Sequence, residues 1–189
     1  MTCIIAQKTK TGIVVGADSG ACDGYLQYRI GDSKIWKLSD QLVVGCSGQT
    51  RILNVVKGAN WEGLTHELSN NYSRLTSHGQ LAAKFGSFLR DVLDPHTTKE
   101  RFGYLLILYG KRIFHVDSEV GVWPVDSNYR AIGSAEELVT GVMYTLNHEK
   151  ELPTNDIAKQ TIEFALKAAT HHVRAILPPY TFCETIAEK

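Results

Sequence analysis

Thr2 follows Met1 at the head of a short apolar stretch, Met1-Thr2-Cys3-Ile4-Ile5-Ala6. If Met1 is removed, Thr2 carries a hydroxyl and a free α-amine on one Cα. The amine, with an unperturbed pKa of roughly 7.7–8.0, is matched to general-base work at neutral pH. It can activate the neighbouring hydroxyl, which alone is a weak nucleophile. An Asp stands sixteen positions further on at Asp18, and a Lys sixteen beyond that at Lys34. Each also has an ordinary reading. Thr2 can simply start a strand, Asp18 can be a turn residue, and Lys34 can be a solvated strand-edge lysine. Gly48 can serve a strand-to-helix bend, and Ser134 can be a helix N-cap. Cys3 would be second in the chain after Met1 removal and would lack its own α-amine, so it reads as a core residue.

The elements around these residues are legible from hydrophobic period. Thr2–Gln7 and Ile13–Ala17 read as strands, the second a continuous apolar run of the kind buried on both faces. Asp18–Gly24 is rich in small and turn residues, so it reads as a turn region. Lys34–Leu38 and Gln41–Ser47 continue an antiparallel meander. Ile52, Leu53, Val55 and Val56 suggest a helix. Leu81, Ala82, Phe85, Phe88, Leu89 and Val92 recur at helical spacing, with Pro95 as the stop. Strands then return over Tyr104–Tyr109, Arg112–Val116, Gly121–Val125 and Tyr129–Ile132. A capping box, Ser134-Ala135-Glu136-Glu137, opens a third helix. Thr154 or Asn155 caps a fourth, from Ile157 to about Val173, and Tyr180–Ile186 reads as a terminal strand. The order strands, two helices, strands, two helices predicts an α+β fold. It is a four-layer α/β/β/α sandwich with two packed antiparallel sheets.

The chain has 189 residues, 43% of them hydrophobic and 21% charged, with a formal net charge of zero. This describes one domain over residues 1–189 with a substantial core. No run of basic residues suggests nucleic acid, and no apolar run reaches the length of a membrane span. No secretory leader is recognisable, so a cytoplasmic protein is expected, with no propeptide before Thr2. The four cysteines form no CxxC pair and are read as reduced thiols. No metal or other cofactor is expected.

The spacing of Thr2, Asp18 and Lys34 resembles the N-terminal nucleophile hydrolases, specifically the proteasome β-subunit superfamily. That includes the peptidase subunit of the bacterial ATP-dependent two-component protease. At residue frequencies of roughly 5–6%, three preset positions match by chance about once in 10⁴. The flanking pieces agree: Gly16-Ala17-Asp18-Ser19, Gly31-Asp32-Ser33-Lys34 and Ala131-Ile132-Gly133-Ser134. The resemblance implies a threonine endopeptidase. Thr2 is its nucleophile, Lys34 and Asp18 its supporting ion pair, and Gly48 the N–H donor to the oxyanion. Ser134 falls on the serine of the family's Gly-Ser-Gly-like turn and is counted among its catalytic residues. By position in the family pattern, Ala21, Asp32, Trp36, Cys46 and Thr50 line the substrate pocket, with Trp36 making it smaller and more apolar. The family's Asp and Ser near the end of the last helix have no match in Ala169–Ile176, where Thr170 or His171 are the substitutes to consider.

The resemblance also implies a homo-oligomeric ring of six- or seven-fold symmetry, as a stacked double ring. It implies peptide or unfolded-protein substrates and a possible unfolding ATPase partner. Two other functions share these features. One is a catalytically silent ring scaffold. The other is an amidohydrolase of the same superfamily acting on a small amide.

Overall fold

The computed structural model describes residues 1–22, 25–70, 77–93, 103–147 and 150–187. Two antiparallel sheets are stacked face to face. The first has the order β10-β1-β2-β11, formed by Tyr129–Gly133, Cys3–Lys8, Gly12–Ala17 and Thr181–Ile186. The second has the order β5-β6-β7-β8-β9, formed by Ile35–Lys37, Leu42–Gly48, Gly103–Tyr109, Arg112–Val116 and Val122–Val125. A small hairpin, β3 (Gly20–Cys22) with β4 (Gln27–Arg29), stands apart from both.

The period-2 geometry of strands explains why so many of them are apolar at every position. In β1, Cys3 and Ile5 face a helix-covered core, whereas Ile4 and Ala6 face the layer between the sheets. In β2, Val14 joins the helix side and Ile13, Val15 and Ala17 the inter-sheet side. The second sheet divides the same way. Leu42 and Val44 of β6, with Leu105 and Ile107 of β7, pack under helices α1 (Thr50–Gly58), α2 (Trp61–Asn70) and α3 (His78–Leu93). Val43, Leu106 and Leu108 fill the inter-sheet layer. Helices α4 (Glu136–Asn147) and α5 (Asn155–His172) cover the first sheet through Val139, Met143, Ile162, Leu166 and Ala169. The expected four-layer sandwich is the observed architecture.

Three local expectations are corrected. First, a helix, α2, lies between the two expected in the first helical block. Its inward residues Trp61, Leu64 and Leu68 are only three among ten, too sparse a stripe to signal a helix beside polar neighbours. Second, the turn region after Asp18 contains β3. Third, Ser134 does not open a capping box. α4 begins at Glu136, and the Ser134 hydroxyl is engaged with Thr2. The predicted Thr154 cap holds, its hydroxyl accepting from the Ile157 N–H at 3.3 Å. Pro95 lies outside the described residues. No helix among the described residues is long and apolar enough to cross a membrane.

Phe85 anchors the outer core of the second sheet. It is fully buried and meets Phe114 edge-on at a centroid separation of 5.2 Å, with Tyr109 at 6.3 Å. Phe85→Ala removes this ring and leaves a cavity. Urea denaturation should show a loss of about 3–5 kcal/mol.

Candidate active site

Strand pairing alone brings Thr2 and Asp18 together. β1 and β2 are antiparallel with Ile4 opposite Ala17, which puts Asp18 opposite Cys3, the residue after Thr2. The Asp18 N–H donates to the Cys3 carbonyl at 3.2 Å, and the Cys3 N–H donates to Asp18 Oδ1 at 2.8 Å. Lys34 comes from the other sheet, at the entry to β5. Its Nζ donates to Asp18 Oδ1 at 2.7 Å, to the Gly20 carbonyl at 2.5 Å and to the Met1 carbonyl at 3.2 Å. Those three acceptors use all three ammonium protons. Asp18 Oδ2 accepts from the Gly20 N–H at 2.8 Å and from the Leu177 N–H at 3.4 Å.

The pair is buried, Lys34 being 3% exposed and Asp18 2%. Burial holds the Lys34 ammonium below the usual lysine range, and the Asp18 carboxylate opposes that shift. Burial also pushes the thiol of Cys3 far up, with the Asp18 charge adding to it, so this cysteine is an inert core group as expected.

Thr2 is held from the first sheet's edge. Its N–H donates to Ser134 Oγ at 3.2 Å. The Ser134 hydroxyl and N–H both donate to the Thr2 carbonyl, at 3.2 and 2.8 Å. Gly133 makes this approach possible. It has φ +102°, and a Cβ there would lie 2.2 Å from the Thr2 carbonyl oxygen. Gly48, with φ +135°, ends β6 directly opposite Gly103 at the rim of the site.

A cleft opens beside Thr2. Of the five residues expected around the substrate, Ala21, Asp32, Cys46 and Thr50 line it, together with Gly48. Trp36 does not. It lies two residues deeper along β5 and packs into the helix-covered core, where its indole N–H finds no acceptor among the described residues. Asp32 is ion-paired with Lys57, whose hydrogen bond is the main reason its carboxyl lies below the usual range. Cys46 lies at the floor, and burial pushes its thiol up to about 12. Residues that the sequence did not single out complete the wall, notably Cys22, Tyr28 and Ile30 on the β3–β4 hairpin and Leu53 on α1. Hairpin strands of three residues carry too little pattern to be read in advance.

Neither expected substitute near the last helix reaches Thr2. The Thr170 hydroxyl donates to the Leu166 carbonyl and meets the Tyr180 hydroxyl at 2.8 Å, and His171 is exposed. The backbone that follows the helix contacts the site instead. Besides the Leu177 N–H on Asp18, the Leu177 carbonyl accepts from the Ser19 N–H at 2.9 Å. Ala175, in the left-handed region at φ 63°, presses its carbonyl against Gly20, where a Cβ would be 2.0 Å away.

On the Gly48–Gly103 side, Tyr104 leans on His115, with ring centroids 5.5 Å apart. His115 Nδ1 lies 3.4 Å from an Arg130 amine nitrogen, and Arg130 pairs with Glu136 at 2.8 Å. Burial, aided by the Arg130 charge, lowers the His115 pKa from 6.5 to about 4.

The chain belongs to the proteasome subunit family, which matches residues 1–175, and with it to the proteasome β-type N-terminal nucleophile hydrolases. Among curated relatives, proteasome subunit beta 2 of Pyrococcus furiosus is 26% identical over 165 residues, covering 84% of this chain and 76% of that protein. Among solved structures, Anbu (ancestral beta-subunit) from Yersinia bercovieri superposes with a TM-score of 0.71 at 16% identity, over 97% of this chain and 81% of that one. Eukaryotic HslV from Trypanosoma brucei gives 0.68 at 14% identity, over 97% and 99%. At these identities the structural matches speak for the fold alone.

Two outcomes follow from the site's electrostatics. Asp18→Asn keeps the shape but strands the Lys34 ammonium in a dry site, and denaturation should show a loss of about 3–5 kcal/mol. Because His115 titrates lower in the folded protein than its reference 6.5, its contribution to stability is complete above pH 6.5 and is lost as pH falls through about 4. Urea midpoints measured across that range should fall with acid, and His115→Gln should flatten that part of the profile.

Proposed function

We propose that the chain is a threonine peptidase subunit that hydrolyses peptide bonds through Thr2 once Met1 has been removed. One observation carries this reading. A buried Asp18–Lys34 pair reaches, through the Lys34 ammonium, the peptide group that joins Met1 to Thr2, whose nitrogen Ser134 holds. Charges are seldom buried this completely without a task, and perturbed ionisable groups cluster at functional sites.

In the proposed reaction Thr2 Oγ attacks the peptide carbonyl carbon, and the Thr2 α-amine, directly or through a water, takes the hydroxyl proton. Lys34 stays charged because Asp18 partners it, and its field favours the deprotonated amine and hydroxyl. The Gly48 N–H stabilises the oxyanion. Collapse of the tetrahedral adduct breaks the C–N bond. The departing nitrogen receives the proton from the α-amine, and an ester on Thr2 remains. Water then hydrolyses the ester by the same steps in reverse order. Ala21, Asp32, Cys46 and Thr50 face the acyl half of the substrate.

The proposal extends to a homo-oligomeric ring that sequesters this site, with peptide or unfolded-protein substrates. An exposed apolar surface on the outer helix layer supports an assembly. It includes Leu146 on α4 and Phe164 on α5, 45% and 58% exposed, around a groove floored by Gly141. Contiguous apolar surface of this kind marks contact sites on soluble proteins.

Intact mass and N-terminal sequencing of the native protein should show Thr2 as the first residue. A peptide epoxyketone or boronate should form an adduct there. Thr2→Ala should keep the assembly and lose at least about 10³-fold in turnover. A native protein that retains Met1 sinks the mechanism. A processed protein with neither adduct nor hydrolysis leaves the silent scaffold, and cleavage of small amides but not peptides leaves the amidohydrolase.

A further inference from the structure

We infer that Tyr104 sets the preference of this site for the residue on the leaving side of the scissile bond, selecting apolar and aromatic side chains there. The inference rests on the peptidase reading above and adds a specificity to it.

Two cavities meet at Thr2, and proton transfer assigns their roles. The departing amine must collect its proton from the Thr2 nitrogen, so it leaves on the side where that nitrogen points. Ser134 Oγ lies 3.2 Å from this nitrogen. Ser134 borders one cavity and is absent from the walls of the other, where Ala21, Cys46 and Thr50 lie. The leaving half of the substrate therefore occupies the Ser134 cavity.

That cavity is built almost without side chains. Apart from Met1 and Thr2, its walls are Ser47, Gly48, Gly103, Tyr104, Gly133 and Ser134. The three glycines have φ of 135°, 120° and 102°, a region that favours glycine over other residues. A Cβ at Gly103 would lie 2.0 Å from the Ser47 carbonyl oxygen. Among the described residues, Tyr104 is thus the one large side chain that an incoming residue meets beyond Met1 and Thr2. It is 39% exposed, so its ring is available for contact.

The ring is also held in place. His115 stacks against it at a tilt of 31°. Arg130 fixes His115 and is itself occupied by Glu136 at 2.8 Å. A ring already set in position loses little freedom on binding. Among the described residues, no Asp, Glu, Lys or Arg lines the cavity. A charged side chain entering it would shed water without gaining a partner.

The test uses the processed protein and internally quenched peptides that differ only at the residue after the scissile bond. Phe or Leu there should give a kcat/KM at least about ten-fold above Gly or Asp, the size of one apolar contact in a pocket. Tyr104→Ala should compress that ratio to within about three-fold, and Tyr104→Phe should retain it. Active-site titration with a peptide boronate, which fills only the acyl half, confirms that Thr2 is intact in each variant. Peptides cleaved with a flat profile by the wild-type protein, or with an unchanged ratio by Tyr104→Ala, overturn the inference and leave the peptidase reading standing. A Tyr104→Ala protein that boronate no longer titrates also overturns it, because Tyr104 is then structural. A wild-type protein that neither cleaves nor reacts with boronate removes the peptidase reading itself, and the inference with it.

Discussion

The ion pair between Asp18 and Lys34 is the constraint around which the chain is arranged. Taking two charges out of water costs several kcal/mol for each ion, and only close contact with further hydrogen bonds offsets it. Here the partners come from the whole fold. Cys3 starts the first strand, Gly20 opens the small hairpin, Leu177 follows the last helix, and Lys34 itself belongs to the opposite sheet. Each supplies backbone groups or charge that the pair cannot do without. The pair thus ties the two sheets together at one end of the sandwich, and the dry layer between the sheets keeps the dielectric low around it.

Much of this was readable because burial on both faces writes long apolar runs into the sequence. Ile13–Ala17 and Gln41–Ser47 read as strands from their apolar runs, and Asp18 and Gly48 follow directly at their ends. The spacing of Thr2, Asp18 and Lys34 then located the site. Its supports were less legible. Ser134 looked like a helix cap, since Glu137 follows at the right distance, yet its hydroxyl turns to Thr2, 132 positions away. The Leu177 amide contacts Asp18 across 159 positions through its backbone, which leaves no mark in residue type. Trp36 was placed in the pocket by analogy of position, but the strand carries it under the helices.

The walls of the site divide by chemistry. The Asp18–Lys34 charges are buried and hydrogen-bonded, whereas the Asp32–Lys57 pair is exposed and the cavity beside Ser134 is largely glycine backbone. The absence of a Cβ at Gly133, at positive φ, lets its backbone pass within contact distance of the Thr2 carbonyl. The aromatic pair of Tyr104 and His115 bounds this side, and burial, with the Arg130 charge adding to it, keeps the His115 imidazole neutral at ordinary pH.

The pairing of β11 with β2, and the Leu177 amide that closes on Asp18, give the site a position in time as well as in space. Leu177 is made 159 positions after Asp18. Synthesis proceeds at roughly 5–20 residues per second, so Asp18 waits on the order of ten seconds for that amide. While the chain is still on the ribosome, the Asp18 carboxylate lacks one of its donors and β2 lacks its outer neighbour. The site therefore reaches its full set of contacts only after the last helix has been made and the backbone beyond it has turned back to Asp18.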